Sequence, residues 1–397
     1  ERLRKRIAYF ERQLLLQPGH DKRVAWLRER DALREQLRSA YQAAGQDAAE
    51  EVLPLTEPVR LAAAESSTII EYFAGEKSVH AFAGQPDGKL RWQMLGHPDS
   101  LKAEVVAFRH LLQDRQALET DDSYPQLAYR LYQALIAPIL PGLPPRVLII
   151  PDAWLSLLPF EALYPRPGDT NWATAPFTLH ESDFYYAFSL GVLEQQRLMS
   201  ADARGGLLHF APRFTDNNRG LPALLNGASE IPADWARTAL LDTAASWHAF
   251  QGRAGQYRII HLSTHGTAAD SLPRIELYDR PAYLPDIYAL PLRSELVVLS
   301  ACETSLGVFE RGEGVMSLSR AFTYAGSKGL VSSLWAINEA ATGELLHRMY
   351  RQLEDSQAKA HALSEAKRRY LLEKGTAAFR KSPYYWAGLI YVGQDVE

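Results

Sequence analysis

Residues 257–266 read Tyr257-Arg258-Ile259-Ile260-His261-Leu262-Ser263-Thr264-His265-Gly266, and residues 296–305 read Leu296-Val297-Val298-Leu299-Ser300-Ala301-Cys302-Glu303-Thr304-Ser305. Each stretch opens in a mostly apolar run and closes in small polar residues. Apolar side chains at successive positions suit a strand covered on both faces, which is the condition of strands in a parallel sheet. Ligands of such sheets gather beyond the carboxyl ends of the strands. His265 and Cys302 both fall there. If the two strands are parallel neighbours, an imidazole and a thiol that are distant in sequence emerge on one edge of the sheet.

The same grammar extends to either side. Strands are predicted at Arg146–Ile150, Gly206–Ala211, Gly329–Leu334 and Trp386–Val392. Helices are predicted at Leu101–Leu118, Tyr124–Ile139, Ser317–Ala325, Thr342–Leu353 and His361–Leu372, with a further one inside Leu224–Thr238. Ser67–Phe73 and Ser78–Ala83 flank the turn signal Gly75-Glu76 and form a predicted hairpin. Strands alternating with helices indicate an α/β fold, a mostly parallel sheet flanked by helices. Before residue 50 the texture is different: apolar residues recur at helical spacing through Leu14, Leu15, Val24, Leu27, Leu33 and Leu37. Pro18-Gly19 divides this segment into two predicted amphipathic helices, the second starting near Asp21. The apolar register is not sustained over heptads, so packing against the next domain is expected rather than a free coiled coil.

With 47% hydrophobic and 23% charged residues, the 397-residue chain has the composition of a globular protein with more than one core. A net charge of -4 gives no electrostatic reason for direct nucleic-acid binding or for a membrane partner. No run is long and apolar enough to span a bilayer. One cysteine cannot form an internal disulfide, so a reducing cytoplasm is the expected location. The chain opens at Glu1 already in helical pattern, and an N-terminal portion is expected to precede it.

A lone cysteine after a strand reads by itself as a small buried hydrophobe, and a lone histidine as a core or surface residue. Together, each just past a buried strand, they read as nucleophile and proton-transfer partner, with Gly266 allowing close backbone approach. Competing chemistries lack their residues. There is no Cys-x-x-Cys pair and no His-Glu-x-x-His run for zinc, no Gly-x-Ser-x-Gly elbow, and Gly312-Glu313-Gly314 lacks the Lys-Ser/Thr of a phosphate loop. No metal and no cofactor is therefore expected.

Several ordered stretches resemble the CHAT domain family, relatives of caspases and separases. They are His261 to Gly266, Leu299 to Thr304, Gly312 to Val315 with Arg320-Ala321-Phe322 and Ala325-Gly326, Ser333-Leu334-Trp335, and Pro383 to Gly388. Ile70 to Phe73 and Ile150 to Leu163 are similar as well, so the resemblance runs from about residue 60 to the end. It implies a caspase-like fold and a cysteine peptidase dyad of His265 and Cys302, for which the backbone N–H groups of Gly266 and Cys302 are the natural oxyanion donors. It also implies a division into residues 1–52, the end of a helical-repeat region such as tetratricopeptide repeats; 53–199, a half that looks like an inactive protease; and 200–397, the half with the dyad. Asp152, Glu303, Trp335 and Asn338 follow strands and are candidates for substrate contact. Many relatives carry Asp where this chain has Asn338, and Ser300 stands where metacaspases have an acidic residue, so no preference for basic substrates is inherited. Family context further suggests a protein substrate and a bacterial defence or cell-death role, triggered by a regulatory protein or RNA-guided complex acting through the N-terminal region. A catalytically silent scaffold for protein–protein interaction is the alternative.

Overall fold

The structure is a computed structural model. It describes residues 3, 6–7, 9–10, 20–43, 56–212, 231–267, 273–300, 307–310, 314–336, 338–355, 358–373 and 376–395. Residues 3, 6–7 and 9–10 are helical, and α1 (His20–Ala43) begins within a residue of the predicted position. Arg6 reaches back to Glu29 at 2.8 Å, and Ile7 and Leu33 are buried.

The first α/β half starts with α2 (Glu57–Glu65) and the strands β1 (Thr68–Ala74), β2 (Val79–Gly84) and β3 (Leu90–Gly96). The predicted hairpin is β1–β2, antiparallel through six paired positions. Next come α3 (Pro98–Gln113), α4 (Arg115–Thr120) and α5 (Tyr124–Leu135), then β4 (Arg146–Ile150), β5 (Asp183–Tyr186) and α6 (Leu190–Leu198). The single helix expected at Leu101–Leu118 is broken at Asp114. Its carboxylate accepts from the N–H groups of Gln116 and Ala117, which restarts the helix as a new N-terminus.

The second half contains β6 (Gly205–Ala211), β7 (Arg237–Leu241), α7 (Trp247–Arg253) and β8 (Tyr257–Ser263), then the short strands β9 (Gly266–Thr267), β10 (Arg274–Ile275) and β11 (Ala282–Tyr283). It continues with α8 (Leu284–Tyr288), β12 (Leu296–Ser300), the hairpin β13 (Gly307–Glu310) and β14 (Gly314–Ser317), α9 (Leu318–Ala325), β15 (Gly329–Ser333), α10 (Glu339–Asp355), α11 (Lys359–Leu372) and β16 (Leu389–Gly393). The helix expected within Leu224–Thr238 is corrected at its end. Residues 224–230 lie outside the described residues, and Arg237–Leu241 is a strand at the sheet edge, half-exposed and paired in parallel with β6. The closing strand starts at Leu389 rather than Trp386, because Pro383–Tyr385 forms a turn of 3-10 helix first.

Eleven strands form one sheet in the order β3-β2-β1-β4-β5-β16-β15-β12-β8-β6-β7. The pairs β1–β4, β4–β5, β6–β7, β6–β8, β8–β12 and β12–β15 are parallel, whereas β2, β3 and β16 introduce antiparallel contacts. The amino ends of β4 and β15 share one edge. Gln196 at the end of α6 donates to the carbonyl of Ser327, just before β15, and Asp395, just past β16, pairs with Arg146 at the start of β4. The carboxyl ends of both halves therefore share the opposite edge, where β14 approaches the turn at Ala153–Leu157 that follows β4.

Alternation sorts the second-half side chains onto two faces. Ile260, Leu262, Val297 and Leu299 pack in one apolar cluster, while Val298 and Leu296 join the large cluster shared with the first half. Gly326 closes α9 with φ 118°, and a Cβ there would collide with the carbonyl of Leu292, so only glycine makes this turn into β15.

Candidate active site

β8 and β12 are parallel neighbours through five register pairs, from Leu296↔Ile259 to Ser300↔Ser263. Their last paired residues stand two positions before His265 and Cys302 respectively. Cys302 and Glu303 themselves lie outside the described residues. β15 pairs with the other side of β12, so the chain leaves the sheet at three adjacent carboxyl ends, those of β8, β12 and β15.

The backbone at His265 is tied down on both sides. The buried Thr264 hydroxyl donates to the carbonyl of Glu276, and the Glu276 N–H donates to the His265 carbonyl at 2.8 Å. Gly266 and Thr267 then pair with Ile275 and Arg274. The half-buried His265 thus sits at the junction of β8 with a small three-stranded sheet, β11-β10-β9. The Glu276 carboxylate is almost enclosed and meets Arg274 Nε at 2.7 Å.

The other candidates take distinct places. Trp335 follows β15 and is 1% exposed, packed in the large core, and its indole N–H is buried with no hydrogen-bond partner among the described residues. An orphaned buried donor costs free energy and asks for an acceptor. Asn338 is exposed and caps α10: its side-chain oxygen accepts from Ala341 N–H at 3.1 Å. Asn and Asp are comparable N-caps, so this position is served by either residue without a charge-based role.

Asp152 follows β4 and accepts from the N–H of Ala74 at 2.9 Å, closing the carboxyl ends of β1 and β4 together. Nearby Glu71 has its carboxyl pushed up by burial, with the Asp152 charge adding to the effect. Ala153, directly after Asp152, adopts φ 51°, a left-handed conformation uncommon for a residue with a Cβ. Trp386 is core, whereas Trp154 is only partly buried against that core. Among the described residues, no three His, Cys, Asp or Glu side chains gather into a set that could hold a metal, and no helix is long and apolar enough to cross a membrane.

Sequence reasoning missed a row of buried polar residues behind the site. His209 on β6 and His261 on β8 lie side by side, with Tyr350 of α10 against His261. A histidine inside an otherwise apolar strand was the available signal. The enclosed ion pair of Glu161 and Lys367, at 2.7 Å, left none, because its partners are far apart in sequence.

Residues 125–394 match the CHAT domain. The chain belongs to the CHAT domain family. Over 112 residues this CHAT protein is 33% identical to tetratricopeptide repeat protein 28 of Homo sapiens, and 31% identical to that of Mus musculus. The match covers 28% of this chain and only 4% of either relative. Among solved structures the chain is similar to one from the Saccharomyces cerevisiae separase–securin complex, with a TM-score of 0.54 at 7% identity, covering 86% of this chain and 31% of that one. It is also similar to a chain of the Porphyromonas gingivalis RgpB pro- and mature-domain complex, with a TM-score of 0.42 at 11% identity, covering 75% and 76% of the two chains. The CHAT chain accordingly has the caspase-like α/β fold, preceded by a further α/β half and an N-terminal helical segment.

Proposed function

We propose that this CHAT protein is a cysteine endopeptidase in which Cys302 is the nucleophile and His265 the acid/base. The observation that carries the reading is the parallel register of β8 and β12, with Ser263 opposite Ser300. Strands so paired lie about 4.8 Å apart, which suits a base and a nucleophile leaving two neighbouring strand ends. The Cys302 thiolate adds to a peptide carbonyl, and the tetrahedral adduct collapses to a thioester as His265 protonates the departing amine. His265 then takes a proton from water, whose oxygen attacks the thioester and frees Cys302. The N–H groups of Gly266 and Cys302 stabilise the oxyanion. Asp152, Glu303 and Asn338 contact the substrate; Trp335, enclosed in the core, does not reach it.

The substrate is a protein, and the role is that of a bacterial defence or cell-death effector. Residues 1–52 form the end of a helical-repeat region through which a regulatory protein or RNA-guided complex switches on the 200–397 half, with 53–199 as its inactive counterpart. Reducing cytoplasm suits the single thiol. Cleavage of a proteome-derived peptide library, read by mass spectrometry, tests the activity. New amino termini are expected with the wild type and none with Cys302→Ala or His265→Ala; equal cleavage by Cys302→Ala would overturn the assignment.

A further inference from the structure

Behind the carboxyl ends of β8 and β12 lies a buried polar row that the proposed chemistry does not use. His209 and His261 are directly paired across β6 and β8, are 2% and 0% exposed, and set their rings edge to face at 5.4 Å. His261 Nδ1 lies 2.8 Å from the Tyr350 hydroxyl, with the two rings stacked. His209 Nε2 lies 3.2 Å from Ser263 Oγ. Trp235 packs on Tyr350 and carries the row outward to the charged groups Glu354, Arg351 and Asp234.

Ser263 is where this row meets the site. Paired residues of neighbouring strands point to the same face, so Ser263 shares a face with His261 and with its partner Ser300 on β12. Each serine stands two residues before a member of the dyad. Burying imidazoles and hydroxyls costs free energy unless they are hydrogen-bonded, and the equivalent interior positions of β12 are the apolar Leu296 and Val298. Unlike apolar packing, a hydrogen bond fixes direction. Ser263 is held from within the sheet by His209, while Thr264 and His265 are held from the side by Glu276.

We propose that His209 is a positioning residue for His265. Through Ser263 it sets the height and tilt of the strand end that presents the imidazole, and His261 with Tyr350 braces it from α10. The inference rests on the dyad reading above. Misplacement of a reacting group by about 1 Å can cost on the order of 100-fold in rate, so a positioning residue inside the core can govern the chemistry.

The single cysteine makes a direct test available, because alkylation by iodoacetamide can only report on Cys302. The thiolate is the reacting species, so the pH profile of the rate follows the charge environment of the thiol. The full chain is compared with His265→Ala, His209→Leu, His209→Gln and Ser263→Ala, with thermal unfolding followed in parallel. His209→Leu and Ser263→Ala are expected to move the profile to higher pH, as His265→Ala does, and to slow alkylation at pH 7 by about tenfold. His209→Gln keeps an amide that can donate or accept near the same place and should restore most of the wild-type profile. A purely structural role would lower the unfolding temperature of His209→Leu and leave the profile of the folded protein unchanged, which overturns the proposal. Should His209→Leu fail to fold, Ser263→Ala removes only a hydroxyl and decides the same question. A His265→Ala profile identical to wild type would remove the dyad itself, and the proposal with it.

Discussion

Replacing Lys367 by methionine takes the positive partner away from an enclosed carboxylate. Glu161, in the short helical turn Phe160–Ala162, and Lys367 of α11 meet at 2.7 Å with both side chains 3% exposed. The second carboxylate oxygen accepts from the Tyr186 hydroxyl at 2.5 Å, and that hydroxyl in turn accepts from Phe160 N–H at 2.9 Å. The Lys367 ammonium also lies 5.9 Å from the centre of the Trp386 ring. Methionine retains the length and most of the apolar contact, so the loss is chiefly electrostatic. A buried charge left without its partner costs about 3–5 kcal/mol, against roughly 0–1 kcal/mol for an exposed pair. The pair ties the first half to the last helix, so the loss falls on the packing between the halves. Urea unfolding at pH 7, followed by tryptophan fluorescence and far-UV circular dichroism, measures it on wild type, Lys367→Met, Glu161→Gln and the double variant. The single lysine variant is expected to lose about 3–5 kcal/mol, and the double variant to regain most of this because no unpaired charge is left. A loss under about 1 kcal/mol, or a double variant no better than Lys367→Met, would refute the claim that this pair is closed off from water.

Two further outcomes follow from local geometry. Asn338→Ala should cost about 1 kcal/mol through loss of the α10 cap while Asn338→Asp stays near wild type; urea midpoints with unchanged slopes check this, and an equal loss in both would remove the capping account. Glu65 is fully enclosed beside Arg197 and the backbone of Asp395, and burial raises its carboxyl above the usual 4.5 despite those bonds. A folded-state pKa above the unfolded one means the folded chain holds the proton more tightly, so this contribution is complete below the ordinary value of 4.5 and is lost as pH rises through the raised value. Wild type should therefore lose stability relative to Glu65→Gln between pH 4 and the raised value, and a gap independent of pH would contradict the burial argument.

Much of this fold is legible because its central strands are apolar along most of their length. β8 and β12 are mostly apolar, β8 interrupted by Arg258 and His261, and both fall within the two stretches read from sequence as buried strands. β3 has no such signature: all but one of its residues are exposed, so neither alternation nor continuity marks it. β7 is similar, an edge strand with mixed exposure beside a region that reads as helix. The candidate site divides in the same way. His265 could be picked out because it follows a buried strand, and the adjacency of β8 and β12, conditional in sequence, is a fact of the sheet. Asn338 could be seen as a departure from relatives, but its work as a helix cap needs coordinates. His209, Tyr350 and the Glu161–Lys367 pair depend on contacts between distant segments, and local pattern carries no information about those.

The central claim is that Cys302 is the nucleophile and that His265 activates it. Intact-mass spectrometry of the chain after exposure to a peptidyl acyloxymethyl ketone measures this most directly. The account predicts a single adduct that maps to Cys302, is absent in Cys302→Ala and forms much more slowly in His265→Ala. An adduct that persists in Cys302→Ala, or one that forms equally fast without His265, would contradict it.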